Sequence, residues 1–141
     1  MSDRLFFDTN VILYAYDTSE PRKREAASEL LEKTFGGAIN GVVSNQVLGE
    51  VFSAAVGKLG VQYDKASIIV RSIIASRRWE KVDYTHMTIR RALERYARGR
   101  TRFWDAVIVE TMMENGITAI VTENVKDFKG LAGIHVLNPF K

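Results

Sequence analysis

Three carboxylates interrupt stretches of chain that are otherwise apolar. Asp8 ends the run Leu5-Phe6-Phe7. Glu50 sits among Val47, Leu48, Val51 and Phe52. Asp105 lies between Phe103-Trp104 and Ala106-Val107-Ile108-Val109. Aspartate and glutamate are rarely buried unless they are paired or bound to a metal. Carboxylates gathered without a basic partner repel one another. A hard divalent cation removes that repulsion, and an all-oxygen donor set suits Mg²⁺ or Mn²⁺. Such a cation binds phosphate oxygens and activates water, so the chemistry these residues suggest is phosphodiester hydrolysis. Singly, each has a structural reading. Asp8 can cap the next helix, Glu50 can be a solvated helix residue, and Asp105 can favour the positive end of its own helix. A metal site requires all three to converge.

The elements that would bring them together follow from periodicity. Leu5-Phe6-Phe7 reads as a strand buried on both faces, because it shows no alternation. Val11–Tyr16 is a short helix capped by Thr9 or Asn10, and Arg22–Phe35 is a second, with Pro21 at its start and Gly36-Gly37 at its end. Ala38–Val43 is a strand. Ser44 caps a helix whose apolar face is Val47, Leu48, Val51, Phe52 and Ala55, with Glu50 at its edge. Asp64 opens a helix to about Ser76 that turns Ala66, Ile69, Val70, Ile73 and Ile74 inward. Trp79–Val82 is a strand, Thr85 or His86 starts a helix to about Arg98, and Phe103–Glu114 is a further helix closed by Asn115-Gly116. Ile117–Val121 is a strand, Glu123–Phe128 a loop or single helical turn, and Ile134–Leu137 a last strand. Alternating strands and helices predict one α/β domain over 1–141: a parallel sheet of four or five strands with helices on both faces, three layers in all. Right-handed crossovers place the strand C-termini on one edge, at Asp8, Ser44, Asp83 and Thr122.

Composition narrows the function classes. The 141 residues contain no cysteine, which excludes disulfides and cysteine-ligated zinc. No signal peptide and no bilayer-length apolar run is evident, so a cytoplasmic location away from the membrane is expected. A formal net charge of +3 is compatible with a polyanionic partner. His86 and His135 form no pair suited to triad or zinc chemistry, and no glycine-rich phosphate loop with a lysine is present.

Four stretches, in order, resemble the successive motifs of PIN domains, most closely the VapC-type toxin ribonucleases. They are Phe7-Asp8-Thr9-Asn10-Val11-Ile12-Leu13; Ser44 through Glu50; Trp104-Asp105-Ala106-Val107-Ile108; and Ile120-Val121-Thr122-Glu123-Asn124 before Asp127-Phe128. The resemblance implies a Mg²⁺- or Mn²⁺-dependent endoribonuclease for single-stranded RNA, acting as the toxin of a toxin–antitoxin pair. It implies a cognate antitoxin protein as partner and a homodimer, for which Val56–Ile74 offers apolar residues. Asp8, Glu50 and Asp105 match its acidic positions. Thr9 and Asn10 would orient Asp8, and Thr122 would donate its hydroxyl to a carboxylate or phosphate. The fourth motif departs: Asn124 stands where many members have Asp, which puts a second metal in question. Either Asn124 or Asp127 completes the site. Asn124 also leaves open a catalytically weak or inactive PIN-like module that binds RNA or protein.

Arg91, Arg95 and Arg98 recur at helical spacing, with Ile89, Leu93 and Tyr96 roughly opposite; Arg100 and Arg102 extend the row. Three readings stand: a solvated face with Glu94 as a pairing partner, a phosphate-backbone track leading to Asp105, or, as the resemblance implies, a target for the antitoxin.

Overall fold

The computed structural model describes residues 3–99 and 101–141. The opening apolar run becomes β1 (Arg4–Phe7), the central strand of a five-stranded sheet of order β3-β2-β1-β4-β5, in which every pairing is parallel. The other strands are β2 (Asn40–Ser44), β3 (Glu80–Val82), β4 (Ala119–Val121) and β5 (His135–Leu137). Phe6 lies opposite Val42 on one side and Ile120 on the other, and all three are fully buried. That double burial is why β1 reads as continuous apolar sequence.

The helices are α1 (Thr9–Tyr14), α2 (Pro21–Phe35), α3 (Asn45–Gly57), α4 (Tyr63–Ala75), α5 (His86–Ala97), α6 (Phe103–Glu114) and α7 (Val125–Phe128). Helix α1 packs against both α2 and α3, and α3 against α4, whereas α5 and α6 pack on each other. Right-handed crossovers put these groups on opposite faces, because strand order runs outward from β1 to β3 and then returns to β4. Among the described residues no helix is long and apolar enough to cross a membrane.

Close packing fixes the edge of the sheet. Trp79 is buried and meets Phe7 edge-on at 4.9 Å. Gly41 of β2 makes room for it: a β-carbon there would stand 2.4 Å from a methyl of Thr34 and 3.0 Å from the Trp79 ring.

Of the caps the sequence offers for α1, Asp8 is the one used: its carboxylate accepts from the Thr9 amide, and neither Thr9 nor Asn10 caps the helix. Two expectations change. Ile74 of α4, expected inside, is 53% exposed. Helix α5 is turned away from the expected orientation. It buries Thr88 and Ala92 and leaves Leu93 and Tyr96 in solvent. Its arginine side faces α6, because α6 presents Glu110 and Glu114 there.

Candidate active site

In open parallel sheets, ligands bind beyond the strand C-termini, where neighbouring connections diverge. Here that point lies between β1 and β4, and Asp8 and Thr122 are the residues that follow them. The Asp8 amide donates to the Val121 carbonyl at 3.0 Å, holding the two strand ends together. Thr122 donates its hydroxyl to Asp8 Oδ2 at 2.7 Å, and the Thr9 amide donates to Oδ1 at 2.8 Å. Both Asp8 oxygens are thus held by neutral groups. Burial pushes the Asp8 carboxyl above its ordinary pKa, and these two hydrogen bonds offset part of that effect.

Glu50 reaches the same place from α3, which Ser44 starts by accepting from the Val47 amide. The Thr9 hydroxyl donates to Glu50 Oε1 at 2.8 Å. The Gln46 amide, one turn earlier on α3, donates to Oε2 at 3.4 Å and to the Trp104 carbonyl at 3.3 Å. Thr9 therefore serves two acids, Asp8 through its backbone and Glu50 through its side chain. Asn10, expected to orient Asp8, lines the cavity without hydrogen-bonding to that carboxylate.

Asp105 sits in the first turn of α6. Its Oδ2 is buried and has no hydrogen-bond partner. Its pKa is raised to about 6, first by burial and then by the negative fields of Asp127, Asp8 and Glu50; Arg102 opposes the shift. Asp127, on α7, raises Asp8 as well, so the fourth acid shares the field of this site. Asn124 contributes differently, donating its backbone amide to the Thr122 hydroxyl at 2.9 Å. The loop between them is anchored by Glu123. That carboxylate accepts from the Tyr14 hydroxyl at 2.6 Å and pairs with Lys23.

Asp8, Glu50 and Asp105 line one open cavity of about 570 Å³, together with Arg102 and Lys58. Among the described residues, no three His, Cys, Asp or Glu side chains are already gathered tightly enough to form a metal shell. The donors fit a divalent cation in kind. Mg²⁺ takes one or two carboxylates and keeps several waters, so acids spaced around a cavity suit it better than a closed cage. The orphaned Oδ2 of Asp105 is an acceptor in need of a positive partner.

The arginine row is divided among different tasks. Arg95 pairs with Glu110 at 2.6 Å and Arg91 with Glu114 at 2.7 Å, so neither uses Glu94 and neither is a free cation. Arg98 caps the end of α5 through its backbone. Arg102 reaches the acidic cavity, and Arg100 lies outside the described residues. Sequence reasoning assigned no role to Gln46 or Lys58. For Gln46 a signal existed, since an amide four residues before a helical glutamate is placed to meet it. Lys58 is eight residues beyond Glu50, at the loosened end of α3, and only the fold brings it to the cavity.

Comparison with known proteins agrees with this architecture. Among curated proteins nothing matches the chain. Among solved structures, it is similar to a toxin–antitoxin complex from Klebsiella pneumoniae (22% identity, 96% of this chain and 97% of that one, TM-score 0.65). It is similar to VapC20 of Mycobacterium tuberculosis, a sarcin-ricin loop cleaving toxin (20% identity, 82% and 86% coverage, TM-score 0.65). It is also similar to DNA-bound VapBC from Salmonella typhimurium (21% identity, 99% of each chain, TM-score 0.63). These identities establish the fold alone. The model of the PIN domain matches residues 5–134, which span all four motifs, and the chain therefore belongs to the PIN domain family.

Proposed function

We propose that this PIN domain is a Mg²⁺- or Mn²⁺-dependent endoribonuclease that hydrolyses single-stranded RNA, and that it is the toxin of a toxin–antitoxin pair. The observation that supports this reading is the convergence of Asp8, Glu50 and Asp105 on one cavity at the sheet edge, with no lysine or arginine hydrogen-bonded to any of them among the described residues. Asp8, Glu50 and Asp105 would hold the cation, with Asp127 as the fourth acid. When bound, the cation supplies charge neutralisation and activates water for attack on phosphorus.

The chain's own groups do the rest. Thr122, Thr9 and Gln46 hold the carboxylates in place, so their oxygens need little reorganisation when charge develops. Arg102 and Lys58 attract the phosphate backbone to a cavity whose acids would otherwise repel it. With water as the nucleophile and the 3′ oxygen as the leaving group, the products would carry a 5′-phosphate and a 3′-hydroxyl. The VapBC neighbours favour a cognate antitoxin as partner. The exposed Ile68 and Ile74 of α4 suggest the face through which two copies pair, which sedimentation would test. A cytoplasmic setting suits such a protein.

The test is a cleavage time course on unstructured RNA with Mn²⁺, with EDTA, and with Asp8→Asn. The expected result is metal-dependent product that falls by about a hundredfold or more in the variant. Equal cleavage by Asp8→Asn would refute the site. A second reading, a module that binds without cutting, is favoured by Asn124 in the fourth motif. RNA binding without any metal-dependent product would establish it instead.

A further inference from the structure

A second open groove of about 430 Å³ adjoins the acidic cavity. The two share Gln46, Glu50, Ser53 and Trp104, and Asn45, Gly49 and Tyr84 complete the groove. Trp104 is 49% exposed although its neighbour in sequence is Asp105. Tyr84 and Phe103 meet it edge-on, at 6.3 and 5.1 Å, and neither stacks flat against the indole. The Asn45 carbonyl oxygen accepts from the amides of Gln46 and Tyr84, both at 3.0 Å. That fixes which way the side-chain amide points. Its NH₂ group is left without an acceptor among the described residues and is the polar group offered to the groove.

Gly49 is the independent clue. Glycine inside a helix is unfavourable relative to alanine. Its backbone does not adopt a positive φ, and a β-carbon there would meet nothing within 4 Å. Neither conformation nor packing demands glycine, and its effect is to keep the groove wall bare.

We propose that this groove is a nucleobase subsite. The base next to the phosphate at the acidic cavity stacks on Trp104, and the Asn45 NH₂ donates to an acceptor on the base edge. Among the described residues the groove is lined by no cation and does include Glu50, so its occupant carries no negative charge there. The flanking phosphates fall to Arg102 and Lys58 in the adjoining cavity. The proposal rests on RNA as the ligand of the neighbouring site, and it explains a preference for unpaired strands, since a base within a duplex has no free face.

The experiment reads tryptophan fluorescence of the full chain in EDTA as an unstructured 12-nucleotide RNA is added. Trp79 is 1% exposed and supplies a constant background, so quenching reports Trp104. Saturable quenching is expected with the single strand and not with the same sequence as a duplex. Trp104→Phe should lose the signal but keep affinity in a filter-binding assay. Trp104→Ala should weaken binding by about tenfold or more. Gly49→Ala should melt no lower than wild type and yet bind several-fold more weakly. Unchanged fluorescence with RNA, or wild-type affinity in both Trp104→Ala and Gly49→Ala, would overturn the subsite. A protein that binds and quenches but never cuts with Mn²⁺ would sink the nuclease reading while leaving the subsite intact. Normal metal-dependent cleavage without quenching would do the reverse.

Discussion

Helix α6 carries acids into two different surroundings. Its first turn brings Asp105 to a cavity shared with Asp8 and Glu50, where the groups that hold the neighbouring carboxylates are hydroxyls and amides. Further along the same helix, Glu110 and Glu114 face α5, and each is held by an arginine. The second set is neutralised within the fold and ties two helices together. The first set is left uncompensated: burial first, and the neighbouring negative charges after it, raise Asp105 toward neutrality, and one of its oxygens has no partner. An acid that the fold neutralises contributes stability. An acid that the fold assembles and leaves uncompensated costs stability and is suited to an outside cation.

Four experiments would break or sharpen that contrast. The largest effect is expected at the paired end. Arg95→Ala strands Glu110, which is 8% exposed, and should cost about 3 kcal/mol in chemical denaturation; a loss below about 1 kcal/mol would mean that the pair is not structural. At the unpaired end, Mn²⁺ at a hundredfold excess over its dissociation constant should stabilise the wild type by about 2.7 kcal/mol. EDTA should reverse that gain, and Asp8→Asn should lack it; equal thermal shifts in the two proteins would remove Asp8 from the site.

The third effect has the opposite sign to most substitutions. The folded Asp105 carboxyl titrates near about 6 against an ordinary 3.8. Between those values the folded state holds a proton that the unfolded state has released, so this group's contribution to metal-free stability falls as pH rises from about 4 to about 6 and is flat above. Asp105→Asn should therefore raise metal-free stability at neutral pH by about 1 kcal/mol, less than a full conversion of the shift because solvent partly screens the group. The gain over wild type should vanish below about pH 4. A variant less stable than wild type at pH 7 would contradict the repulsion. The smallest effect is expected at Arg91, whose side chain is 49% exposed. Arg91→Ala should cost less than about 1 kcal/mol and should lose most of that cost in high salt.

Much of this molecule was readable along the chain, and the reason is local. Leu5-Phe6-Phe7 reveals a doubly covered strand because burial on both faces leaves no alternation to confuse it. Ser44 announces α3 because its hydroxyl satisfies an orphan amide three residues on. Asp8, Glu50 and Asp105 stood out because charge inside apolar sequence demands a compensating partner. Helix α5 was misread for an equally physical reason. Its own sequence presents an arginine stripe and an apolar stripe, and which one turns inward depends on what α6 offers across the gap. The 3.6-residue period contains no information about that neighbour. The exposure of Ile74 has the same origin, since α4 covers a face whose width is set by its packing partner α3.

By itself, then, the sequence determined the alternation of strands and helices and the caps that begin α3 and α5, because each depends on interactions between residues a few positions apart; it marked Asp8, Glu50 and Asp105 only as charges set in apolar sequence. The tertiary structure alone decided that Gln46 would steady Glu50 while reaching the Trp104 carbonyl, that Lys58 and Arg102 would share a cavity, and that Arg91 and Arg95 would be taken up by glutamates rather than left to meet phosphate. These are pairings across sheet edge and helix interface. Their partners are set by how whole elements dock, which no local pattern encodes.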